Sequence, residues 1–122
     1  MTQQIIIATA SLFGMLSVIF GAFGAHALKK KLTIEQLQSF EVGVKYQMYH
    51  AIVLLILGFN SNYINSAIYW CFTLGITLFS FSIYGLVLLD AKGKKLSFLG
   101  PITPIGGLLL VGGWVLLLIN TF

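Results

Sequence analysis

Gly21-Ala-Phe-Gly-Ala-His-Ala-Leu-Lys-Lys-Lys31 is the stretch that decides the fold of this 122-residue chain, because it ends a long apolar run with three consecutive lysines. A lysine in the hydrocarbon core of a membrane costs roughly 2.5–3.5 kcal/mol, and lysines suit the negative C-terminal end of a helix dipole. Three together stop a helix at the water boundary. The sequence therefore predicts a first membrane span that ends at Leu28.

The composition is that of a membrane protein. Hydrophobic residues make up 58% of the chain and charged residues 8%, whereas charged residues are about a quarter of an ordinary soluble domain. Such a chain cannot bury its apolar surface in a core of this size, so it must face lipid. The net charge of +4 does not indicate nucleic-acid binding, since the chain has no arginine and its lysines form short blocks beside apolar runs. We expect no nucleic-acid partner.

The apolar runs predict one membrane domain, 1–122, with four spans. At 1.5 Å per residue the first run reaches about 36 Å, enough to cross a hydrocarbon core of about 30 Å. Ala25-His26-Ala27 resembles a signal-peptide cleavage site, but no positive charge precedes the run and the run is long for a signal peptide, so we expect an uncleaved span. The predicted spans lie at about 5–28, 40–59, 64–89 and 104–122.

A short amphipathic helix at about 33–42 is predicted to lie along the membrane surface before the second span, with Gly43 as a hinge. Thr33 can cap it, and the Gln36 side chain can bond back to the backbone in a capping box. The fourth span is expected to begin with Thr103 as its cap and a proline in its first turn. The predicted fold class is therefore all-α: a polytopic bundle of four transmembrane helices with one interfacial helix.

Small residues recur on the first and fourth spans, where they let the backbones of two helices approach closely. Packing between helices is the simplest role for such residues, and lining of a pore is the alternative. The residues predicted to pack helices are Gly14, Gly21, Gly24, Ala25, Gly106, Gly107, Gly112 and Gly113.

All seven lysines belong to one side of the predicted membrane. Four spans place both termini on the opposite side, and the positive-inside rule makes the lysine side cytoplasmic. The termini are therefore expected outside the cytoplasm. Positive potential on this side favours anionic lipid headgroups. The candidate lipid-headgroup residues are Lys29, Lys30, Lys31, Lys92, Lys94 and Lys95.

A second set of candidate residues is polar and is predicted to gather towards the lysine side. Ionisable groups inside a membrane are functional candidates, although a hydrogen-bonded structural cluster fits the same pattern. The set comprises His26, Glu41, Lys45, Tyr46, Gln47, Tyr49, His50, Asp90 and Thr103. The motifs Cys-x-x-Cys, His-Glu-x-x-His and Gly-x-Ser-x-Gly are absent from the sequence, and its single cysteine lies in an apolar run. An enzyme is therefore the less favoured class, and no catalytic residue or metal ligand is assigned.

Three separated motifs stand in order along the chain: Gly21-Ala-Phe-Gly-Ala-His-Ala-Leu28, Glu41-Val-Gly-Val-Lys-Tyr-Gln-Met-Tyr-His50, and Gly100-Pro-Ile-Thr-Pro-Ile-Gly-Gly107 followed by Gly113-Trp114. Together they resemble the small membrane proteins catalogued as domain of unknown function 423. The resemblance covers nearly the whole chain. It implies a multi-span bacterial inner-membrane protein with relatives in animals and no established activity. The family's typical arginine before the tyrosine pair stands here as Lys45, which keeps the charge and loses bidentate geometry.

Three classes of function fit these features. The favoured class is an interaction or structural bundle that binds anionic lipid, a partner membrane protein or a second copy of itself, and in this class we expect no cofactor. The alternative is an oligomeric proton-coupled or small-solute carrier in which His50 accepts the proton. A second alternative is a b-type haem protein with His26 and His50 as axial ligands, because haem iron takes histidine ligands.

Overall fold

The computed structural model describes residues 2–94 and 98–122, and four long helices account for most of them. The first two, α1 and α2, are Gln3–His26 and Ile34–Phe59, and the others, α3 and α4, are Ser66–Ala91 and Leu99–Asn120. All four helices found in the described residues are long and apolar enough to cross a membrane. The predicted fold class, an all-α bundle of four candidate spans, is confirmed.

The helices run alternately in opposite directions, so the bundle has two chemically different ends. At the terminal end, Asn120 Nδ2 donates a 3.1 Å hydrogen bond to the carbonyl of Tyr63, which lies in a 3₁₀ turn between α2 and α3. The other end, here called the lysine end, carries the connection after α1 and the residues after α3. Helix α1 packs mainly on α2, α4 packs mainly on α3, and α2 packs on α3 to join the two pairs.

The residues predicted as a separate interfacial helix form the first turns of α2. The capping box predicted at Thr33 is confirmed: Thr33 N donates to Gln36 Oε1 at 3.0 Å, and Gln36 N donates to Thr33 Oγ1 at 3.1 Å. Gly43 is not a hinge, because a Cβ there would lie 2.7 Å from Tyr84 and the close contact holds this part of α2 against α3. One continuous helix of 26 residues therefore replaces the predicted pair of segments.

Helix α4 begins at Leu99, earlier than the predicted start at Pro104. Pro101 is the third helical residue, where a backbone N–H has no partner within the helix, so the ring costs no hydrogen bond there. Pro104 lies inside the helix and removes one donor. Thr103 is not the cap, and its hydroxyl instead lies 2.5 Å from that of Ser82 on α3.

Helix α3 contains a π-helical stretch, Thr77–Phe81, that the sequence did not predict. Such stretches are rare and widen one turn of the helix by one residue. Gly106 of α4 packs here on the backbone of Leu78 and Phe79, where an added Cβ would lie closer than 3.0 Å to main-chain atoms. The wide turn and the glycine therefore bring the backbones of α3 and α4 together.

Apolar side chains form two buried clusters in the described part of the chain. The larger lies towards the terminal end and includes Leu54, Ile68 and Phe72, which are all 0% exposed. The smaller lies towards the lysine end and contains Phe40 and Tyr84. Large apolar side chains also cover the outer faces of the helices, as expected for a bundle surrounded by lipid.

Candidate functional site

A buried polar layer joins α1, α2 and α3 between the two apolar clusters, and Gln47 is its centre. The Gln47 side chain is 0% exposed, and its Nε2 donates to the carbonyl of Phe13 at 2.8 Å. The Tyr84 hydroxyl donates to Gln47 Oε1 at 2.7 Å. Since a buried amide without partners would be costly in a medium of low dielectric constant, these bonds specify how the three helices align.

Two serines extend the polar layer by bonding to the backbone of α2. Ser17 of α1 donates its hydroxyl to the carbonyl of Val44 at 3.2 Å, and Ser80 of α3 donates to the carbonyl of Gly43 at 2.8 Å. Both serines are almost completely buried. The layer therefore holds neighbouring carbonyls of α2 from two sides.

His50 lies farther along α2, and both of its ring nitrogens have partners. The indole N–H of Trp114 donates to His50 Nε2 at 3.1 Å, and His50 Nδ1 lies 2.7 Å from the carbonyl of Tyr46. An indole nitrogen can only donate, so Nε2 is the acceptor and Nδ1 carries the proton. The imidazole is therefore neutral in this arrangement, and it links α2 to α4. The ring of Phe72 packs beside it at 5.7 Å between centroids.

The two tyrosines of the predicted polar set lie on the outer surface of α2. Tyr46 is 43% exposed and Tyr49 is 55% exposed. Their ring centroids are 6.0 Å apart, and the ring of Tyr46 also packs on Phe79 at 5.1 Å. They flank His50 without entering the buried layer that contains Gln47.

The charged members of the predicted polar set lie elsewhere. Glu41 and Lys45 are exposed and line a small surface cavity of about 110 Å³ against the end of α1. His26 is exposed at the last residue of α1. The predicted residues thus divide between the buried layer, the surroundings of His50 and the lysine end, and they do not form a single site.

His26 and His50 do not fit a shared haem. His26 lies at the lysine end, whereas His50 lies sixteen residues beyond Ile34, about 24 Å along α2 from that end. Axial ligands must reach one iron from opposite faces. Both ring nitrogens of His50 are also occupied by hydrogen bonds. The structure therefore separates the two candidate ligands.

A groove of about 660 Å³ lies at the lysine end, between α2, α3 and α4; we call it the lysine-end groove. Its floor is apolar and includes Ile83, Leu86 and Val87 of α3. Gly100 and Thr103 of α4 form part of one wall. Its volume lies within the range of about 300–1,000 Å³ that is typical of ligand sites.

Charged and polar side chains surround the mouth of the lysine-end groove. Glu35 and Gln36 come from the first turn of α2, Asp90 from the last turn of α3, and Lys94 from the residues that follow. Gln36 Nε2 donates to Asp90 Oδ2 at 2.8 Å, which ties α2 to α3. Asp90 and Thr103 are among the candidates predicted from the sequence, whereas Gln36 is predicted only as part of the helix cap and Glu35 is not among the candidates.

Most of the predicted packing residues contact another helix of the same chain. A Cβ at Gly24 would lie 2.9 Å from Phe40, and one at Gly113 would lie 2.8 Å from Phe72. Gly14 has open space, and Ala25 is exposed beside the small cavity. The other positions lie against neighbouring helices: Gly21 near Val44, Gly106 and Gly107 near Phe79, and Gly112 near Cys71.

The lysines predicted to bind lipid headgroups are exposed at the lysine end wherever they are described. Lys29, Lys30 and Lys31 follow α1, and Lys92 and Lys94 follow α3. Lys95 lies outside the described residues. The geometry brings both lysine loops to the same end of the bundle.

The sequence of this chain matches a known protein family. The model of a family described as "Protein of unknown function (DUF423)" matches residues 20–107. The chain belongs to this family. The UPF0382 membrane protein of Staphylococcus haemolyticus is 41% identical to it, over 98% of this chain and 97% of the relative. That of Staphylococcus aureus (strain bovine RF122 / ET3-1) is 42% identical over the same shares.

A third relative, the UPF0382 membrane protein of Staphylococcus saprophyticus, is 39% identical, over 98% of each chain. No solved structure matches. The relatives are named membrane proteins, and this DUF423 chain has four apolar helices in its described residues. It is a multi-pass membrane protein, and neither the family description nor the relatives' names specify an activity.

Proposed function

We propose that this DUF423 protein is an interaction bundle of the cytoplasmic membrane whose lysine end binds anionic lipid. The observation that carries the proposal is the distribution of charge. Every described lysine, aspartate and glutamate lies at the lysine end or no farther along α2 than Lys45. Anionic headgroups attract lysines close to the membrane surface by about 1 kcal/mol each.

The orientation of the bundle is part of the proposal. The positive-inside rule puts the lysine end in the cytoplasm and the termini on the other side of a bacterial inner membrane. The hydrogen bond between Asn120 and Tyr63 supports a common end for the C-terminus and the connection between α2 and α3. The lysine loops would then lie at the same depth as the lipid phosphates of the cytoplasmic leaflet.

Lipid is favoured over a partner helix because the small residues are mostly occupied within the chain. Gly24 and Gly113 lie against aromatic rings, and Gly106 lies against backbone. A partner membrane protein or a second copy would have to use the outer faces, where large apolar side chains dominate. Such faces are equally suited to acyl chains. Transmembrane helices gain no hydrophobic free energy when a contact with lipid is replaced by a contact with another helix.

The buried polar layer supports a structural role rather than a carrier. The Gln47 amide uses its nitrogen and its oxygen inside the bundle, and His50 uses both ring nitrogens. A histidine that accepts a proton needs a free lone pair. His50 would first have to lose its bond to Trp114, so we do not propose a proton carrier.

The proposed function is tested by lipid retention. The full chain is purified in mild detergent with added phosphatidylglycerol, and bound lipid is counted by native mass spectrometry. Changing all six loop lysines to glutamine should lower retention of this anionic lipid by more than about tenfold, since each contributes about 1 kcal/mol. The matched control changes the same six residues to arginine, which keeps the charge.

Retention of the lipid by the arginine variant, together with its loss from the glutamine variant, would support the proposal. Equal retention by the wild-type chain and the glutamine variant would overturn it. The size of the purified particle, measured in the same spectra, separates a monomer with lipid from a dimer. A lipid-free dimer would favour the partner-helix class instead.

A further inference from the structure

The lysine-end groove combines an apolar floor with a charged mouth, which is the chemistry of a site for a single amphiphile. Leu86 and Val87 of α3 lie along its floor, and Val42 of α2 lies on its side. The polar mouth is at the end of the bundle that carries the lysines. A molecule with a charged head and an apolar tail would therefore enter head outward, as membrane lipids are oriented.

The charge at the mouth is opposite in sign to that of the surrounding end. Two carboxylates, Glu35 and Asp90, and one ammonium, Lys94, line the groove, a sum of −1. Five further described lysines and one further glutamate give the rest of the described chain a positive charge. An anionic headgroup without a cation would meet two carboxylates there. A simple cation would leave the lysine without an anion.

Asp90 is placed where helix formation alone does not favour it. It lies in the last turn of α3, and the C-terminal end of a helix dipole disfavours negative charge. Gln36 donates one hydrogen bond to it, which leaves its other oxygen free to accept. In residues 2–94 and 98–122, Asp90 and Glu35 make no ion pair with a lysine or histidine within 4.0 Å. Both carboxylates are exposed at the mouth, so they can accept hydrogen bonds from a donor outside the chain.

The mouth also carries groups that suit a phosphate. Lys94 supplies an ammonium, and α4 begins beside it with Gly100 at the groove. No side chain of the described residues caps the start of α4, and the N-terminal end of its helix dipole adds positive potential there. Positive and negative groups thus line the same opening.

We propose that the lysine-end groove binds one phospholipid whose headgroup carries a primary ammonium beside its phosphate. The ammonium is held by Glu35 and Asp90, the phosphate faces Lys94, and an acyl chain lies along the apolar floor. The phosphatidylethanolamine class has this headgroup. This inference rests on the proposed function only in requiring that the bundle binds lipid, because the partners that select its headgroup are the carboxylates of Glu35 and Asp90, and Lys94 is the one loop lysine that it uses.

The groove should discriminate between lipid headgroups by the hydrogen bonds that they can donate. A primary ammonium donates three hydrogen bonds, and hydrogen bonds to charged groups are the strong ones. The trimethylammonium of phosphatidylcholine has the same charge and no N–H to donate. Phosphatidylglycerol has no cation. The groove should therefore prefer phosphatidylethanolamine to both.

The experiment measures which lipid the full chain keeps. The protein is equilibrated in detergent with equal amounts of phosphatidylethanolamine, phosphatidylcholine and phosphatidylglycerol of identical acyl chains, and bound species are counted by native mass spectrometry. The test variant combines Glu35→Gln with Asp90→Asn. The matched control is Glu41→Gln, an exposed carboxylate outside the groove. Val42→Trp, which fills the groove side, is a separate steric test.

We expect one retained phosphatidylethanolamine, with a preference of about tenfold over phosphatidylcholine, the effect of one charge-assisted hydrogen bond. The double carboxylate variant should lose the preference, and Glu41→Gln should keep it. Equal retention of the two zwitterionic lipids, or an unchanged preference in the double variant, would overturn the inference. Asp90→Asn keeps an oxygen that can accept from Gln36, and both carboxylates are exposed, so the double variant should unfold at the wild-type temperature, which verifies that its effect is on binding.

The two tests can be told apart, because the preference between phosphatidylethanolamine and phosphatidylcholine depends on the carboxylates, whereas retention of phosphatidylglycerol depends on the loop lysines. Loss of phosphatidylglycerol in the lysine variant with no headgroup preference in the groove would leave the proposed function standing and remove this inference. A preference for phosphatidylethanolamine with no effect of the lysines would do the reverse. Loss of retention in Val42→Trp places the acyl chain in the groove, whereas full retention by a folded Val42→Trp would contradict that placement.

Discussion

The indole N–H of Trp114 donates to His50 Nε2 across 3.1 Å and so joins α4 to α2. The two rings meet edge to face, with centroids 5.9 Å apart, and Phe72 packs against both. Because α4 packs mainly on α3, this polar contact gives it a direct attachment to α2. One neutral imidazole therefore adds a polar attachment between α4 and α2 to the packing of α4 on α3.

Replacing His50 with alanine should lower the free energy of unfolding by about 2 kcal/mol or more. The change removes an interhelical hydrogen bond, leaves the Trp114 donor without its partner and opens a space among aromatic rings. His50→Gln should cost less than about 1 kcal/mol, because the amide oxygen can still accept from the indole. Denaturation in mixed micelles with sodium dodecyl sulfate measures both. His26→Ala, at an exposed histidine, is the control and should have no effect.

Gln47 and Tyr84 should show strong energetic coupling. Gln47→Leu leaves the Tyr84 hydroxyl buried without an acceptor, and Tyr84→Phe leaves the Gln47 oxygen without a donor, so each should cost about 1–3 kcal/mol. The double variant removes both groups and should cost less than the sum of the two changes. A double-mutant cycle of unfolding free energies checks this. Additive losses would mean that the two side chains do not depend on each other.

Replacing glycines with alanine should distinguish the glycines that contact another helix from those that have open space beside them. Gly106→Ala places a methyl group against the backbone of Leu78 and Phe79, which cannot move aside as a side chain can, and should cost about 1–3 kcal/mol or more. Gly14→Ala meets nothing within 4 Å and should raise stability by about 0.5–1 kcal/mol through helix propensity. Unfolding midpoints of the two variants in one detergent compare them. A tolerated Gly106→Ala would contradict the close approach of α3 and α4.

A reporter fused after Phe122 should signal the non-cytoplasmic side of the membrane. The described lysines lie towards the opposite end, and the asymmetry of lysines along the sequence sets orientation. Paired fusions of alkaline phosphatase and green fluorescent protein provide the measurement, since the first is active only outside the cytoplasm and the second fluoresces only inside it. A fusion after Gly93 should give the reverse pattern. Fluorescence from the C-terminal fusion would contradict the predicted orientation.

The helices were predictable where the decisive signals are local. Lysine runs mark the ends of apolar stretches. Thr33 and Gln36 are three residues apart, which is the spacing that a capping box requires. The start of α4 was missed because a proline suits either a first turn or an early interior position when neighbouring helices support it. The π-helical stretch has no recognised local signal, and the glycine that packs on it, Gly106, comes from another helix.

The candidate site was less predictable because its contacts join distant parts of the chain. Gln47 was identified as a polar residue in a span, but its partners, Phe13 and Tyr84, follow only from the packing of three helices. The lysine-end groove likewise depends on Gln36 and Asp90, which are 54 residues apart. Their hydrogen bond is a tertiary contact that residue spacing cannot reveal.

The π-helical stretch couples the winding of α3 to the shape of its second half. The wide turn contains one residue more than a turn of α-helix. The side chains of Ser82–Ala91 therefore point in the directions that they would have in an α-helix one residue shorter. If the same residues rewound into regular α-helix, the second half would rotate by about 100° and advance by about 1.5 Å. Tyr84 would leave Gln47, and Asp90 would leave the mouth of the groove. A change of pitch in the middle of the membrane would thus act at the lysine end as a rotation.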